Sequence, residues 1–101
     1  MQNDFTISRQ YGHRHFTIEF DNDSSESFTI IDITANDRVG FLYYVTKALY
    51  ELNLDIGSAK IVTEGSKVMD SFYVTDLLRS KITDEPRLRK IRETLLDVLN
   101  R

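Results

Sequence analysis

The sequence predicts an α+β sandwich, in which two helices cover one face of a four-stranded antiparallel sheet. Segments with strand and helix periodicity follow one another in the order ββαββα, and clusters of turn-forming residues separate them. Each helical segment carries an apolar stripe on one side, the pattern of a helix that packs against a sheet. The chain has 101 residues, which suits one domain with a single core.

The first half of the pattern consists of two strands and a helix. Residues 15–20 alternate apolar and polar side chains, residues 21–26 are rich in turn formers, and residues 28–35 form a second strand. A helix is predicted over residues 38–52, with Asp37 as its N-cap and Asn53 at its end, because asparagine tolerates a left-handed conformation. Its apolar stripe comprises Leu42, Val45, Leu49 and Leu52.

The second half consists of a hairpin and a helix. Strands are predicted over residues 55–63 and 68–76, joined by a turn at residues 64–67. The last helix opens at residues 83–86, where acidic residues and a proline suit a first turn. Its buried stripe comprises Leu88, Ile91, Leu95 and Val98. The helix-facing rows of the sheet comprise Ile31, Ile33, Ala35, Ala59, Ile61, Phe72 and Val74.

This order is that of a ferredoxin-like βαββαβ sandwich, circularly permuted. In the ferredoxin-like arrangement a last strand follows the second helix and lies beside the first strand, whereas this sequence shows no strand pattern after its last helix. We therefore expect residues 15–20 to take that edge, antiparallel to residues 28–35. Residues 15–101 would form the domain, with residues 1–14 as a loosely ordered N-terminal tail.

Composition and charge argue against several classes of function. A net charge of −3 disfavours nucleic acid or an anionic membrane as the main partner. The chain has no cysteine, which excludes a disulfide framework and is compatible with a reducing cytoplasm. Its first fourteen residues contain no apolar run typical of a signal peptide or membrane span. His13 and His15 could form a zinc pair, but no other histidine or cysteine completes the shell, so we expect neither a metal site nor a cofactor.

The connection between the second strand and the first helix is the first candidate site. A helix that begins straight after a strand has unpaired backbone N–H groups, which together with the helix dipole suit a carboxylate or another anion. Gly40 allows close backbone approach at a position where glycine costs a helix about 1 kcal/mol. The same residues also fit an ordinary capped junction, with Gly40 serving helix–sheet packing and Arg38 solvated.

Two aspartates and several tyrosines are unusual for their positions. Asp32 and Asp70 lie in strand centres. Asp32 falls on the face that the helices do not cover, whereas Asp70 shares a row with Phe72 and Val74, so we expect it near the sheet end or turned outward by a bulge. Because the acidic chain lacks the glycine–aromatic pattern of RNA-binding sheets, we expect rim or interface positions for Tyr43, Tyr44, Tyr50 and Tyr73.

Residues 29–43 resemble the signature of ACT domains, in which a strand runs into Asp-Arg-Pro-Gly-Leu-Leu; this chain has Asp-Arg-Val-Gly-Phe-Leu. Residues 54–61 and 68–76 are similar to the next two strands of that family. Residues 21–24 and 81–82 resemble one subfamily in particular, the C-terminal ACT domains of bacterial PII uridylyltransferase/uridylyl-removing enzymes. The resemblance extends over about residues 16–99.

The resemblance implies a regulatory module that is not itself an enzyme. Such a module would bind an amino acid, glutamine first, in the allosteric control of nitrogen metabolism, and would form a homodimer or pair with a second ACT domain. The ligand-binding residues that carry over by position are Asn36, Asp37, Arg38, Val39, Gly40, Phe41, Leu42, Asp55 and Ile56. The chain departs from the family at Val39, which replaces proline and adds a backbone donor, and at residues 77–80, which replace a more glycine-containing turn.

Two other functions remain open at this point. Small acylphosphatases share this sandwich and bind phosphate with an arginine in the first connection, to which Arg38 would correspond. Their loop is longer and glycine-rich, however, and they need an asparagine on a later strand, whereas Asn53 lies at a helix end. The chain could also be an association module without a ligand, since the same loop would cap the helix in either case.

Overall fold

One antiparallel sheet and two helices form the fold. The computed structural model describes residues 7–11, 14–36 and 41–100. The strands are β1 (Ile7–Tyr11), β2 (Arg14–Asp21), β3 (Thr29–Asn36), β4 (Leu54–Glu64) and β5 (Lys67–Asp76), and the helices are α1 (Phe41–Glu51) and α2 (Glu85–Leu99). The strand order is β1-β2-β3-β5-β4, with every pair antiparallel. The predicted α+β sandwich is confirmed, and β2 lies beside β3 as expected.

Strand β1 is an addition to the predicted four-stranded sheet. It pairs with β2 from Ile7 opposite Ile18 to Tyr11 opposite Arg14, within the segment for which the sequence predicts a loose tail. That expectation is wrong for these five residues. The reason is that an edge strand can be held by backbone hydrogen bonds to its neighbour, so it needs no strong apolar pattern of its own.

The core lies between the sheet and the two helices. Pairing places Ile33 opposite Ile18 on β2, and Ile31 opposite both Phe20 and Phe72, so these side chains share one face of the sheet. Both helices turn apolar side chains to that face, but Leu42, predicted in the buried stripe of α1, is 39% exposed, and Leu52 is only partly buried. The fully buried helix side chains include Val45 and Leu49 from α1 and Leu88, Ile91, Leu95 and Leu99 from α2.

Side-chain hydrogen bonds and one left-handed residue hold the described helix ends. Asn53 ends the segment after α1 with a φ of 62°, which confirms the left-handed conformation expected of it. The Nη2 atom of Arg87 donates to the backbone oxygen of Asn53 at 3.2 Å. At the start of α2, the Asp84 carboxylate accepts a hydrogen bond from the Arg87 N–H at 3.0 Å. The predicted N-cap of α1, Asp37, lies outside the described residues.

Thr29 joins the β2–β3 connection to the segment that leads into α2. Its side chain is 1% exposed, and its hydroxyl donates to Asn22 Oδ1 at 2.6 Å while accepting from the backbone N–H of Ile82 at 2.8 Å. The amide of Asn22 donates in turn to the Ile82 carbonyl at 2.9 Å. These bonds fix the entry of α2 against the sheet, a role for Thr29 and Asn22 that the sequence did not reveal.

The second half of β4, from Ser58 to Glu64, is not covered by the helices. Ala59 and Ile61 pair with Phe72 and Asp70, which places them on the helix-facing side as predicted, yet both are exposed, Ile61 to 50%. The register shifts between Ile56 and Ser58, at Gly57, where a β-bulge interrupts the pairing. Strand β4 is also an edge of the sheet, so this half combines an open edge with exposed apolar side chains.

No helix in the described part of the chain is long and apolar enough to cross a membrane.

Candidate functional site

The residues of the predicted ligand site lie at two opposite ends of the sheet. Asn36 ends β3 and pairs with Lys67, whereas Ile56 pairs with Val74, which lies opposite Thr29 at the beginning of β3. Seven residues of strand separate these ends, or about 23 Å at about 3.3 Å per residue. The predicted meeting of the β3–α1 loop with Asp55 and Ile56 is therefore wrong within a single chain, because α1 carries the chain back across the sheet before β4 begins.

The β3–α1 loop, at one end of the predicted site, is described only by the residues on either side of it, Asn36 and Phe41. Residues 37–40, which include Arg38, Val39 and Gly40, lie outside the described residues. Leu42 lies in the first turn of α1 and is 39% exposed. The first four N–H groups of a helix have no acceptor within it, and the first turn of α1, as far as the described residues show it from Phe41 onward, contains no acidic residue. This end therefore suits an anionic group.

The Asp55 end of the site forms a separate cleft of about 340 Å³. It lies where α1 ends and β4 begins, and its walls are Tyr50, Glu51, Asn53, Leu54, Asp55 and Leu77. Asn53 is thus separated from the β3–α1 loop by the whole length of α1, about 16 Å for 11 residues. An acylphosphatase-like site would need Asn53 beside Arg38, which lies outside the described residues; among the described residues, Asn53 lies at the end of α1 opposite to the start of that helix.

Asp70 is the most unusual side chain at the loop end of the sheet. It pairs with Ile33 on one side and Ile61 on the other, so its carboxylate points to the helix-covered face, where it is 2% exposed. Asp70 is the fourth residue of β5, toward the sheet end at Lys67, which agrees with one of the two positions expected for it. The other expectation, an outward turn by a bulge, is wrong, because Asp70 is buried and the bulge lies at Gly57 on the neighbouring strand. No group in the described part of the chain donates a hydrogen bond to Asp70 Oδ1. Burial raises the pKa of the Asp70 carboxyl above its usual range.

Asp32 has a different environment on the opposite face of the sheet. It is half-buried and accepts a hydrogen bond from Ser71 Oγ at 2.5 Å. Burial raises its pKa, the bond from Ser71 opposes that rise, and the negative charges of Glu19 and Asp21 add to it. The expectation that Asp32 lies on the face away from the helices is confirmed, since it lies opposite Glu19 on β2 and Ser71 on β5.

The tyrosines do not form a stacking platform. Tyr43 and Tyr44 meet edge to face at 5.4 Å on the exposed side of α1, and Tyr50 is 77% exposed near the other end of that helix. Tyr73 lies on the opposite side of the molecule, edge to face with Phe28 at 6.2 Å. This scatter matches rim positions better than the row of aromatic rings with which a sheet binds bases.

Comparison with known families agrees with this sandwich and its connections. The model of the ACR family N-terminal ACT domain matches residues 24–99, from the β2–β3 connection to the end of α2. The chain belongs to the ACT domain family. The match includes the β3–α1 connection and the strand that carries Asp70.

The similar curated proteins are bacterial bifunctional uridylyltransferase/uridylyl-removing enzymes. The chain is 47% identical to that of Erythrobacter litoralis over 78 residues and 48% identical to that of Azospirillum brasilense over 79 residues. These segments make up 77% and 78% of this chain but 8% of each relative, so the chain spans less than a tenth of the length of the enzymes it matches.

One similar solved structure supports the fold alone. The crystal structure of an unknown protein from Galdieria sulphuraria superposes with a TM-score of 0.53 at 18% sequence identity. The superposition covers 66% of this chain and 37% of that one.

Proposed function

We propose that this chain is a regulatory amino-acid-binding module, with L-glutamine as the first candidate ligand, and that it acts as part of a longer protein of the uridylyltransferase type in the cytoplasm. The observation that carries the proposal is the ACT family match over residues 24–99, joined to 47% identity with a segment of such an enzyme. In this proposal the ACT module senses the nitrogen status and does not itself catalyse a reaction.

The start of α1 is the proposed binding point for the α-carboxylate of the ligand. The N–H groups of a helix start and the positive end of the helix dipole favour a carboxylate, and the described first turn of α1 contains no acidic residue. The presence of Val39 in place of the family's proline supplies one more backbone donor there. The side-chain amide of Asn36 would pair with the amide of glutamine, since each amide offers both a donor and an acceptor.

A second copy of the chain would bring the two halves of the predicted site together. If the β4 edges of two copies pair antiparallel, Asp55 and Ile56 of one copy come to the sheet end that carries the β3–α1 loop of the other. The open edge of β4 and the exposed Ile61 and Val62 favour such pairing. We therefore propose a homodimer, or an equivalent pair with a second ACT domain, with one ligand between the copies at each loop.

The test of ligand binding is a thermal melt with increasing L-glutamine. A ligand present at ten times its dissociation constant stabilises the folded state by about 1.4 kcal/mol, which raises Tm by about 5 °C or more for a domain of about 100 residues. Gly40→Val should abolish the shift by blocking backbone approach. Gly65→Asn is the matched control, because Gly65 has a φ of +64° that asparagine tolerates and its hairpin turn is open to solvent.

The test of association is sedimentation of wild type, Ile61→Lys and the control Leu78→Lys. Leu78 is 86% exposed and lies away from β4, whereas a lysine at position 61 would obstruct the β4 edge. We expect dimers for the wild type and the control, but monomers for Ile61→Lys, which should also lose the response to glutamine. If no amino acid at millimolar concentration changes the Tm of a dimeric wild type, the chain is an association module.

A further inference from the structure

The turn between β5 and α2 exposes two leucines to solvent. Leu77 is 65% exposed and Leu78 is 86% exposed, whereas turns are usually built from glycine, proline, asparagine, aspartate and serine. Tyr50, in the last turn of α1, is also exposed, and it lines the same cleft as Leu77. We call Tyr50, Leu77 and Leu78 the apolar patch. Large apolar side chains grouped on a surface, rather than scattered singly, mark sites of interaction with other molecules.

Asp76 fixes the turn that carries the two leucines. Its Oδ1 atom accepts hydrogen bonds from the N–H groups of Leu78 and Ser80 at 2.8 and 2.9 Å. The backbone of Asp76 also donates to the Ser80 carbonyl at 2.8 Å and accepts from the Arg79 N–H at 3.1 Å. The leucines are therefore held on a hydrogen-bonded turn, and a partner that covers them would order little additional backbone, which lowers the entropic cost of binding.

The cleft beside the apolar patch has a negative charge. Its walls include Glu51 and Asp55, and no lysine or arginine is among the described residues that form them. Within the described chain the last turn of α1 carries no basic residue either, so the negative end of the helix dipole adds to these charges. Two arginines lie at this end of the molecule without lining the cleft: Arg79 is on the turn, and Arg87 donates to the Asn53 carbonyl at 3.2 Å. The cleft therefore attracts a positively charged group.

We propose that the apolar patch and this cleft bind a peptide segment from another part of a longer protein that contains the domain. In that segment an apolar side chain covers Leu77 and Leu78. A neighbouring lysine or arginine enters the cleft and pairs with Glu51 and Asp55. The inference goes beyond amino-acid binding, because it concerns a contact between domains at the end of α1.

The size and charge of the chain favour this occupant over a second copy. The matched segment makes up 8% of each of the two relatives described above, so most of such a protein lies outside the domain. A second copy of this chain fits less well, because its net charge of −3 gives no general attraction to a negative cleft. The turn also follows the end of β5, whereas the proposed homodimer uses the edge of β4.

The experiment selects short random peptides, displayed on phage, on the immobilised chain. We expect the wild type to enrich peptides that combine leucine, isoleucine or phenylalanine with lysine or arginine. The double variant Leu77→Ser/Leu78→Ser should bind an enriched peptide about tenfold or more weakly in calorimetry, because the apolar contact is lost. Met69→Ser is the matched control, since Met69 is an exposed apolar side chain near the other end of β5. Glu51→Lys should shift the selection from lysine and arginine to aspartate and glutamate.

Several results would overturn the inference. The wild type enriches no peptide, a measurement that needs no variant to fold, or it enriches peptides without lysine and arginine. The double variant, which should keep the wild-type Tm because both leucines are exposed, binds the peptides as tightly as the wild type, or Glu51→Lys leaves the selection unchanged. Sedimentation gives a further one: if a dimeric wild type becomes monomeric in the double variant, a second copy occupies the patch. None of these measurements involves L-glutamine, so the proposed amino-acid binding stands or fails separately.

Discussion

Replacing Thr29 by valine removes the hydroxyl that connects the β2–β3 turn to the entry of α2 while keeping the shape of the side chain. The hydroxyl bonds Asn22 Oδ1 and the Ile82 N–H, at 2.6 and 2.8 Å, in an environment that is 1% exposed. Each buried polar group that loses its partner costs about 1–3 kcal/mol. We therefore expect Thr29→Val to lower the free energy of unfolding by about 2–4 kcal/mol, a large part of the 5–15 kcal/mol typical of a domain.

Urea unfolding followed by circular dichroism measures this difference, and Thr29→Ser is the matched control. Serine keeps the hydroxyl and removes one methyl group, which costs about 1 kcal/mol. Hydrogen exchange of the Ile82 amide should accelerate in the valine variant and change little in the serine variant. A loss below 1 kcal/mol for valine, or a loss no larger than that of serine, would refute the claim that these bonds hold α2 in place.

Three further predictions concern single side chains. Asp84→Ala should lower the free energy of unfolding by about 1 kcal/mol, measured by chemical denaturation, because α2 loses its N-cap. Asp84→Asn should keep most of that stability, and equal losses in the two variants would contradict the capping role. Gly57→Ala places a Cβ 2.5 Å from Phe28 Cε1, so this substitution should lower Tm. Adding Phe28→Leu should restore Tm; if it does not, the clash with Phe28 is not the cause of the loss. The folded pKa of Asp70 lies above its reference value of 3.8, so its contribution to stability is lost as pH rises through the folded pKa. The stability gained by Asp70→Asn should accordingly be small near pH 4 and larger at pH 7, and a gain independent of pH would disprove the burial of a charge.

The sequence by itself determined the class of fold, because that class depends on local patterns. Alternation in strands, the 3.6-residue stripe in helices and the turn residues between them are set by neighbouring residues, so the order of elements and the left-handed Asn53 followed from the chain. The family resemblance likewise depends on short connected runs, and the match over residues 24–99 confirmed it.

Only the tertiary structure decided which residues meet. Strand register separates Asn36 from Ile56 by the length of the sheet, and no local pattern records that distance. The same register turns Asp70 into the core and brings Thr29 to Ile82, 53 residues away along the chain. Burial and long-range hydrogen bonds arise from packing among distant segments. Sequence reasoning therefore misplaced Asp70 and missed Thr29, the two side chains on which the sharpest predictions rest.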